Sequence, residues 1–367
     1  MTAPKLELVD LYKEYGDGSV AAVDGVDLVV EAGETVALLG PSGCGKSSTL
    51  NMIVGLEQPT SGDIRIDGKS VVGVPPGRRN VGLVFQDYAV FTHMSVRANL
   101  GFGLSVRGGD RQAAARRVEE VAELLGLTSI LDEKATRLGG SQLQRVAIGR
   151  TLVVRPAVLL LDEPLSNLEA ESRQAMRREL RRLQAEIGLT IIYVTHDQIE
   201  ALSLASKIAV MSSGKIVQFD STERVYDRPN HVFVAGFMGS PPMNLVRGEL
   251  AEARFARKGF SLTLPAALAA SAQGEGREVT LGIRPEQLRL VQDGAGTLSG
   301  RVALVQPRGA EAVVSIETGG VTLQALVAAA NRPDEGASVG LAFDAAALTL
   351  FSGETGRSLH GKNGLAA

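Results

Sequence analysis

Gly40-Pro41-Ser42-Gly43-Cys44-Gly45-Lys46-Ser47 is a glycine-rich phosphate-binding loop with every position filled. Residues 34–39 before it (Glu-Thr-Val-Ala-Leu-Leu) alternate and are apolar enough for a buried strand. Residues 48–53 after it (Ser-Thr-Leu-Asn-Met-Ile) read as the opening of a helix. A strand–loop–helix setting is what gives this motif its meaning. Successive backbone N–H groups of such a loop converge on one anion, and the following helix adds the positive end of its dipole. Lys46 is expected to reach the β- and γ-phosphates, Ser47 to ligand magnesium and Ser48 to join the cradle. The sequence thus predicts a nucleoside triphosphate site.

Four downstream segments say what is done with it. Residues 158–163 (Val-Leu-Leu-Leu-Asp-Glu) form a continuous apolar run ending in two carboxylates. Such a run suits a strand buried on both faces of a parallel sheet, with its acids at the carboxyl edge where ligands sit. There Asp162 would hold the magnesium ion through water and Glu163 would take a proton from an attacking water. A second apolar run, residues 190–194, ends at Thr195-His196-Asp197. A histidine at that edge faces the nucleotide, which makes His196 a candidate to contact the γ-phosphate and orient the water. Val84-Phe85-Gln86 is a third strand end, offering the neutral amide of Gln86 to the metal or the water. Finally, Leu138-Gly139-Gly140-Ser141-Gln142 opens a helix with small residues in its first turn. That is a second anion-binding helix start. Two such starts for one nucleotide suggest that the second serves a neighbouring chain.

Composition sets bounds. Hydrophobic residues make up 44% of the 367 positions and charged residues 22%, ordinary values for a globular chain with a larger and a smaller domain. Lys and Arg number 38 against 41 Asp and Glu, a net charge of −3 that leaves no basic footprint for nucleic acid. No apolar run approaches the roughly 18–20 residues that span a bilayer, and the N-terminus lacks a signal-peptide pattern. The expectation is a cytoplasmic protein that reaches any membrane through partners. Cys44, the single cysteine, excludes an internal disulfide and a cysteine metal cluster. Its thiol is expected to be open to alkylation when no nucleotide covers the loop. The arginines at 173, 177, 178, 181 and 182 recur at helical spacing and read as a solvated face, as do Arg111, Arg116 and Arg117.

The ordered set resembles the ATPase subunit of ATP-binding-cassette transporters. It comprises the phosphate loop, Gln86, a signature segment near Leu138, Asp162-Glu163, the loop Ser166-Asn167-Leu168-Glu169, and His196. The resemblance implies an α/β fold: a P-loop (RecA-like) nucleotide-binding core over residues 1–237, with a helical subdomain inserted at about 88–156. It implies ATP and Mg2+ as cofactors, with Ser47, Gln86 and Asp162 around the metal and Tyr15 stacked on adenine. It also implies a second cassette subunit, identical or not, whose nucleotide is completed in trans by Gly139, Gly140, Ser141 and Gln142. Two transmembrane permease subunits would dock between Asp87 and Leu104, where apolar side chains including Phe91 and Met94 would form the interface, and an extracytoplasmic binding protein would deliver the solute. The resemblance places the chain on the cytoplasmic face of the inner membrane. Two positions depart from the family pattern. The usual Leu-Ser-Gly-Gly-Gln is here Leu138-Gly139-Gly140-Ser141-Gln142, and the usual Ser-Asn-Leu-Asp ends in Glu169.

After about residue 237 the pattern changes to short strands separated by turn residues, near 279–283, 301–305, 312–316, 323–327 and 339–343. These predict a small closed or partly closed β-barrel over residues 238–367. By resemblance it is an OB-like (TOBE-type) regulatory domain that helps hold the dimer. Ser240-Pro241-Pro242-Met243-Asn244 and Leu281-Gly282-Ile283-Arg284-Pro285-Glu286 resemble the carbohydrate-importer branch, which takes up maltose, other sugars or glycerol 3-phosphate. The alternatives are a polyamine, iron or sulfate importer, and a cassette ATPase not coupled to a membrane.

Overall fold

Strands that are apolar at every position must be covered on both faces, and that requirement organises the first half of the molecule. The computed structural model describes residues 3–16, 20–274 and 276–359. They fall into two compact units that divide after Thr222. The first unit runs β1 (Leu6–Glu14), β2 (Ala21–Val30), β3 (Thr35–Leu39), α1 (Lys46–Val54), β4 (Ser61–Ile66), β5 (Lys69–Ser70) and β6 (Val81–Val84). It continues through α2 (Val96–Arg107), α3 (Arg111–Leu124), α4 (Gly140–Leu152), β7 (Val158–Asp162), α5 (Ala170–Ile187), β8 (Thr190–Thr195), α6 (Gln198–Leu204), β9 (Lys207–Ser212) and β10 (Lys215–Ser221).

The central sheet has the order β10-β9-β3-β8-β7-β6 and is parallel except for β10. Alternate residues of its strands feed two cores, as a pleat of period two requires. Val36, Leu38, Val158, Leu160, Ile192 and Val194 pack with α1 and with an antiparallel sheet of order β2-β1-β4-β5. Leu159, Leu161, Ile191 and Tyr193 face the opposite core, shared with α2 to α5. Helices α2, α3 and α4 are the inserted helical segment. A Cβ at Gly149 of α4 would lie 2.6 Å from Leu100 and 2.8 Å from Leu125, so glycine is what lets these elements approach. Helix α1 ends under a buried Arg79, whose guanidinium donates to the carbonyls of Met52, Ile53 and Val74. These bonds satisfy orphan carbonyls at the helix end.

The expected solvated arginine faces are only partly solvated. Arg173 donates to Leu168 O at 3.1 Å, Arg182 to Leu124 O at 2.8 Å, and Arg117 to Leu152 O at 3.1 Å. Long side chains on a charged helix face lie along the surface and use their donors on neighbouring carbonyls.

The second unit contains α7 (Thr222–Asp227, at the division), α8 (Val232–Phe237), β11 (Asn244–Ala251), β12 (Arg254–Arg257), β13 (Phe260–Thr263), α9 (Ala266–Ser271) and β14 (Glu278–Ile283). It closes with β15 (Arg289–Val291), β16 (Leu298–Arg308), β17 (Glu311–Thr318), β18 (Val321–Ala328), β19 (Ser338–Ala342) and β20 (Thr349–Ser352). Ten strands form two antiparallel five-stranded sheets, β13-β12-β11-β14-β20 and β15-β19-β16-β17-β18, over one shared core. All five expected strands are present. The second sheet is built from four of them, while β14 joins the first.

The division lies upstream of the expected 237/238 boundary because α8 is fastened to the second unit. Arg284, largely buried, stacks 4.1 Å over the Tyr226 ring and donates to the carbonyls of Tyr226, Ala235 and Met238. Burial lowers its pKa, and it stays charged because it is held by carbonyls and the ring. Ala235 shares a small core with Met243 and Phe351. A chain ending at Thr222 should therefore fold and melt cooperatively. A chain ending at Met238 should carry a stripped apolar helix and aggregate, which light scattering during thermal unfolding would reveal. Equal behaviour of the two truncations would show that α8 belongs with the first unit.

Candidate functional site

Parallel register decides which loops meet. Leu39 of β3 pairs with Thr195 of β8, Val194 of β8 with Asp162 of β7, and Leu161 of β7 with Val84 of β6. The four strands therefore end level. The loops that leave them, 40–45, 196–197, 163–169 and 85–95, emerge side by side at the carboxyl edge, where open α/β sheets bind ligands.

The phosphate loop turns through left-handed backbone at Gly43 (φ 78°) and Gly45 (φ 105°). A Cβ at Gly45 would lie 2.3 Å from Ala22 O, so no other residue fits against β2. Pro41, Ser42, Gly43 and Ser47 are exposed on the loop, with Ser48 half-buried behind them. Lys46 is buried, its Nζ donating to Gly40 O at 2.8 Å and Pro41 O at 3.0 Å. Cys44 is not open to solvent: the residue is 3% exposed and belongs to the core beneath β3. The apolar floor under the loop draws the side chain inward and leaves only the backbone of Cys44 for a phosphate.

Asp162 and Glu163 stand beside this loop. Burial raises the Asp162 pKa, the neighbouring Glu163 charge adds to the rise, and the Lys46 ammonium opposes it. Both charges are thus close enough to Asp162 to be felt. Ser47 follows β3 and Gln86 follows β6, strands that end level with β7, so a hydroxyl and an amide leave the same sheet edge as the half-buried Asp162 carboxylate, a hard oxygen donor set. It suits magnesium, which takes one or two carboxylates and completes its shell with water and phosphate.

Glu163 has φ 43°, left-handed backbone that a side chain of this size rarely adopts. Its N–H donates to Val194 O at 2.9 Å, and its carbonyl accepts from Ser166 Oγ at 2.8 Å. Its Oε1 lies 3.0 Å from His196 Nδ1. An ionised carboxylate only accepts, so Nδ1 carries the proton and Nε2 is left for other partners. The Glu163 side chain is 23% exposed and that of His196 61%.

Tyr15, following β1, is half exposed, and its hydroxyl bonds Ser48 Oγ at 3.2 Å and Glu57. The hydroxyl thus touches both the first turn of α1 and the segment after its end, and Lys13 Nζ lies 4.9 Å from the ring centroid. Gln86 is exposed, its carbonyl accepting from Asn167 Nδ2 at 2.8 Å. Sequence reasoning did not single out Asn167 as a brace for the Gln86 loop, and its separation of 81 positions gave no local signal. Downstream of Gln86, Phe91 and Met94 are half-buried; Phe91 packs against Phe102 at 4.7 Å and under the Arg150 guanidinium at 4.2 Å, while Phe85 and Phe102 are more exposed.

Gly139 is the N-cap of α4, with extended backbone (φ −75°, ψ 166°), and its N–H donates to Gln142 Oε1 at 3.1 Å. Gly139 and Gly140 are exposed, and Ser141 and Gln142 half-buried. A Cβ on Gly139 would meet nothing within 4 Å. The turn is therefore presented outward, and a hydroxyl at 139 is sterically free.

Residues 23–166 match the ABC transporter family, residues 239–288 the MalK OB fold domain, and residues 281–351 the TOBE domain. The chain is 44% identical to the trehalose/maltose import ATP-binding protein MalK of Thermococcus litoralis, over 96% of this chain and 99% of that protein. It is 42% identical to the sn-glycerol-3-phosphate import ATP-binding protein UgpC 3 of Rhizobium johnstonii, over 96% of this chain and 98% of that protein. It is also 42% identical to the sulfoquinovosyl glycerol transport ATP-binding protein SmoE of Agrobacterium fabrum, over 97% and 99%. Among solved structures, cbiO1 from Clostridium perfringens, part of the ABC transporter complex cbiONQ, superposes with a TM-score of 0.57. It is 30% identical and covers 61% of this chain and 90% of that one. A phosphate loop, a carboxylate–histidine pair at the same sheet edge and full-length relatives agree, and the chain belongs to the ATP-binding subunits of ABC importers, an ATPase of their carbohydrate-uptake branch.

Proposed function

We propose that two cassettes close around two ATP molecules and that their hydrolysis energises import of a sugar or glycerol 3-phosphate. The observation that carries the mechanism is the 3.0 Å contact of Glu163 with His196 at a strand edge level with the phosphate loop. Backbone N–H groups of residues 40–48 and Lys46 hold the phosphates, and the Tyr15 ring stacks on adenine. Ser47, Asp162 and Gln86 would hold a Mg2+ ion, which would supply charge neutralisation to the phosphates. Glu163 takes the proton of the attacking water. His196, steered by Glu163 through Nδ1, presents Nε2 to the water or the γ-phosphate. Gly139, Gly140, Ser141 and Gln142 cover the nucleotide of the second subunit. Two permease subunits dock between Asp87 and Leu104, and an extracytoplasmic binding protein supplies the solute. No helix of the described residues is long and apolar enough to cross a membrane, which fits a subunit held peripherally on the cytoplasmic face.

Glu163→Gln should bind ATP normally and hydrolyse it roughly 10²–10⁴-fold more slowly, the worth of a positioned general base. His196→Ala should behave alike, whereas Lys46→Ala should weaken binding itself. Wild-type turnover by the Glu163 variant would remove it as the base.

Burial of the thiol reverses the expectation for Cys44. Alkylation by iodoacetamide should be slow with or without Mg-ATP, and Cys44→Ala should retain ATP binding because the loop offers its backbone there. Fast labelling that nucleotide suppresses would show the side chain to be part of the phosphate cradle.

The altered signature gives a gain-of-function test. Gly139→Ser combined with Ser141→Gly should raise ATPase activity about tenfold, the worth of one hydrogen bond to a charged group. Stability should fall by no more than about 1 kcal/mol, since glycine and serine differ little at the N-cap and Ser141→Gly puts one glycine into the first turn of α4. Unchanged turnover would mean that Ser141 already supplies the hydroxyl.

A further inference from the structure

His196 is the most exposed member of the catalytic pair, and yet the backbone around it is fixed from beneath. Thr195 Oγ1, buried, accepts from Asp197 N at 2.9 Å, so one hydroxyl spans the peptide units on both sides of His196. The same hydroxyl has one proton, and it donates that proton to Glu200 Oε2 at 3.0 Å. Glu200 is 3% exposed on α6 and also accepts from Tyr193 Oη at 2.8 Å. Burial and the adjacent Glu200 raise the Tyr193 pKa well above its ordinary value, so that phenol remains a donor. Glu200 therefore fixes the direction in which Thr195 donates and leaves a lone pair for Asp197 N. A buried carboxylate needs a counter-charge. Arg173 Nε lies 4.0 Å from Glu200 Oε1, and the same guanidinium donates to Leu168 O in the loop that follows Glu163. Asp197 in turn accepts from the N–H groups of Ile199 and Glu200 and lies 4.0 Å from Arg177.

We propose that Glu200 and Thr195 are positioning residues for hydrolysis, holding His196 at its contact with Glu163 through the Glu200–Thr195–Asp197 hydrogen-bond chain. The inference rests on the reading of Glu163 and His196 given above. Glu200 and Thr195 touch neither nucleotide nor water; they set where the imidazole stands. Their loss acts on turnover and spares ATP binding, because Lys46, Tyr15 and the phosphate loop lie outside the chain of bonds.

The test measures kcat, KM and ATP affinity for Thr195→Val, Thr195→Ser and Glu200→Gln, alone and combined with His196→Ala. Thr195→Val keeps the shape and removes the hydroxyl, so it serves even where a Glu200 truncation fails to fold. It should lower kcat on the order of 10²-fold, the cost of misplacing a reacting group by about 1 Å, with ATP affinity unchanged. Thr195→Ser, which keeps the hydroxyl, and Glu200→Gln, which keeps one oxygen to accept from Tyr193 and Thr195, should retain most turnover. With His196→Ala the further loss from Thr195→Val should vanish, because residues acting as a unit are not additive. Wild-type kcat for Thr195→Val, an equal loss for Thr195→Ser, or a full additional loss in the His196→Ala background would each overturn the inference. Wild-type turnover by His196→Ala itself would overturn the site reading and this inference together. A normal loss in that variant beside an unaffected Thr195→Val would overturn the inference alone.

Discussion

Backbone pairing between β3, β8, β7 and β6 is the constraint on which the site depends, because a one-residue slip in any ladder would move a functional loop by a strand rise. Such a slip would also turn every side chain to the opposite face. Here the two faces belong to different cores: Leu160 and Ile192 to one, Leu159 and Ile191 to the other. A slip would therefore exchange residues between two packed interiors. Register is thus enforced by packing, and packing brings Asp162, His196 and the phosphate loop to one edge. No side-chain contact among those three needs to supply that alignment.

The same logic explains why charged groups accumulate at this edge without destabilising the fold. Strand interiors are apolar apart from the Tyr193 hydroxyl, which Glu200 accepts, and charge begins where the strands stop. Each buried charge of the unit has its partners close by in the fold, Arg79 ahead of β6 as well as the groups beyond the strand ends. Lys46 has two carbonyls, Arg79 has the end of α1, and Glu200 has two hydroxyls with Arg173 nearby. Removing one partner of such a set costs more than the set contributes in total, since the remaining charge is left desolvated.

Much of this was legible in the sequence. Apolar runs at 158–161 and 190–194, ending in Asp162-Glu163 and in Thr195-His196, announced buried parallel strands, and the glycine-rich loop announced its ligand. Short-range patterns carried that information. What escaped notice was long-range. Arg173 sits in a stretch whose spacing reads as a charged surface, and only the fold shows it reaching Leu168 and Glu200. The orientation of the Cys44 thiol depends on the core beneath β3, which no local pattern encodes. The unit boundary moved for the same reason. Arg284 lies 58 positions from Tyr226, and its bonds to α7 and α8 decide where those helices belong. The two-sheet form of the second unit likewise rests on β11 to β13, of which β12 and β13 span only four residues each, too few for their pattern to stand out.

Glu163 brings these arguments to one residue. Left-handed backbone costs a non-glycine residue on the order of 1–3 kcal/mol and persists only where the surroundings over-determine it. They do so here from both sides: Val194 O takes its N–H, and the N–H and hydroxyl of Ser166 take its carbonyl. A glycine would relieve the strain but would remove the carboxylate. Asp162, one residue earlier, is still paired to Val194 in the ladder, so the chain must turn within a single residue. An extended residue at 163 would continue the strand and send its side chain to the face opposite Asp162. The positive φ ends the strand at once and leaves the carboxylate at the edge, against His196 and within electrostatic reach of Asp162. Strain at Glu163 is thus the means by which two consecutive carboxylates stand together at one sheet edge.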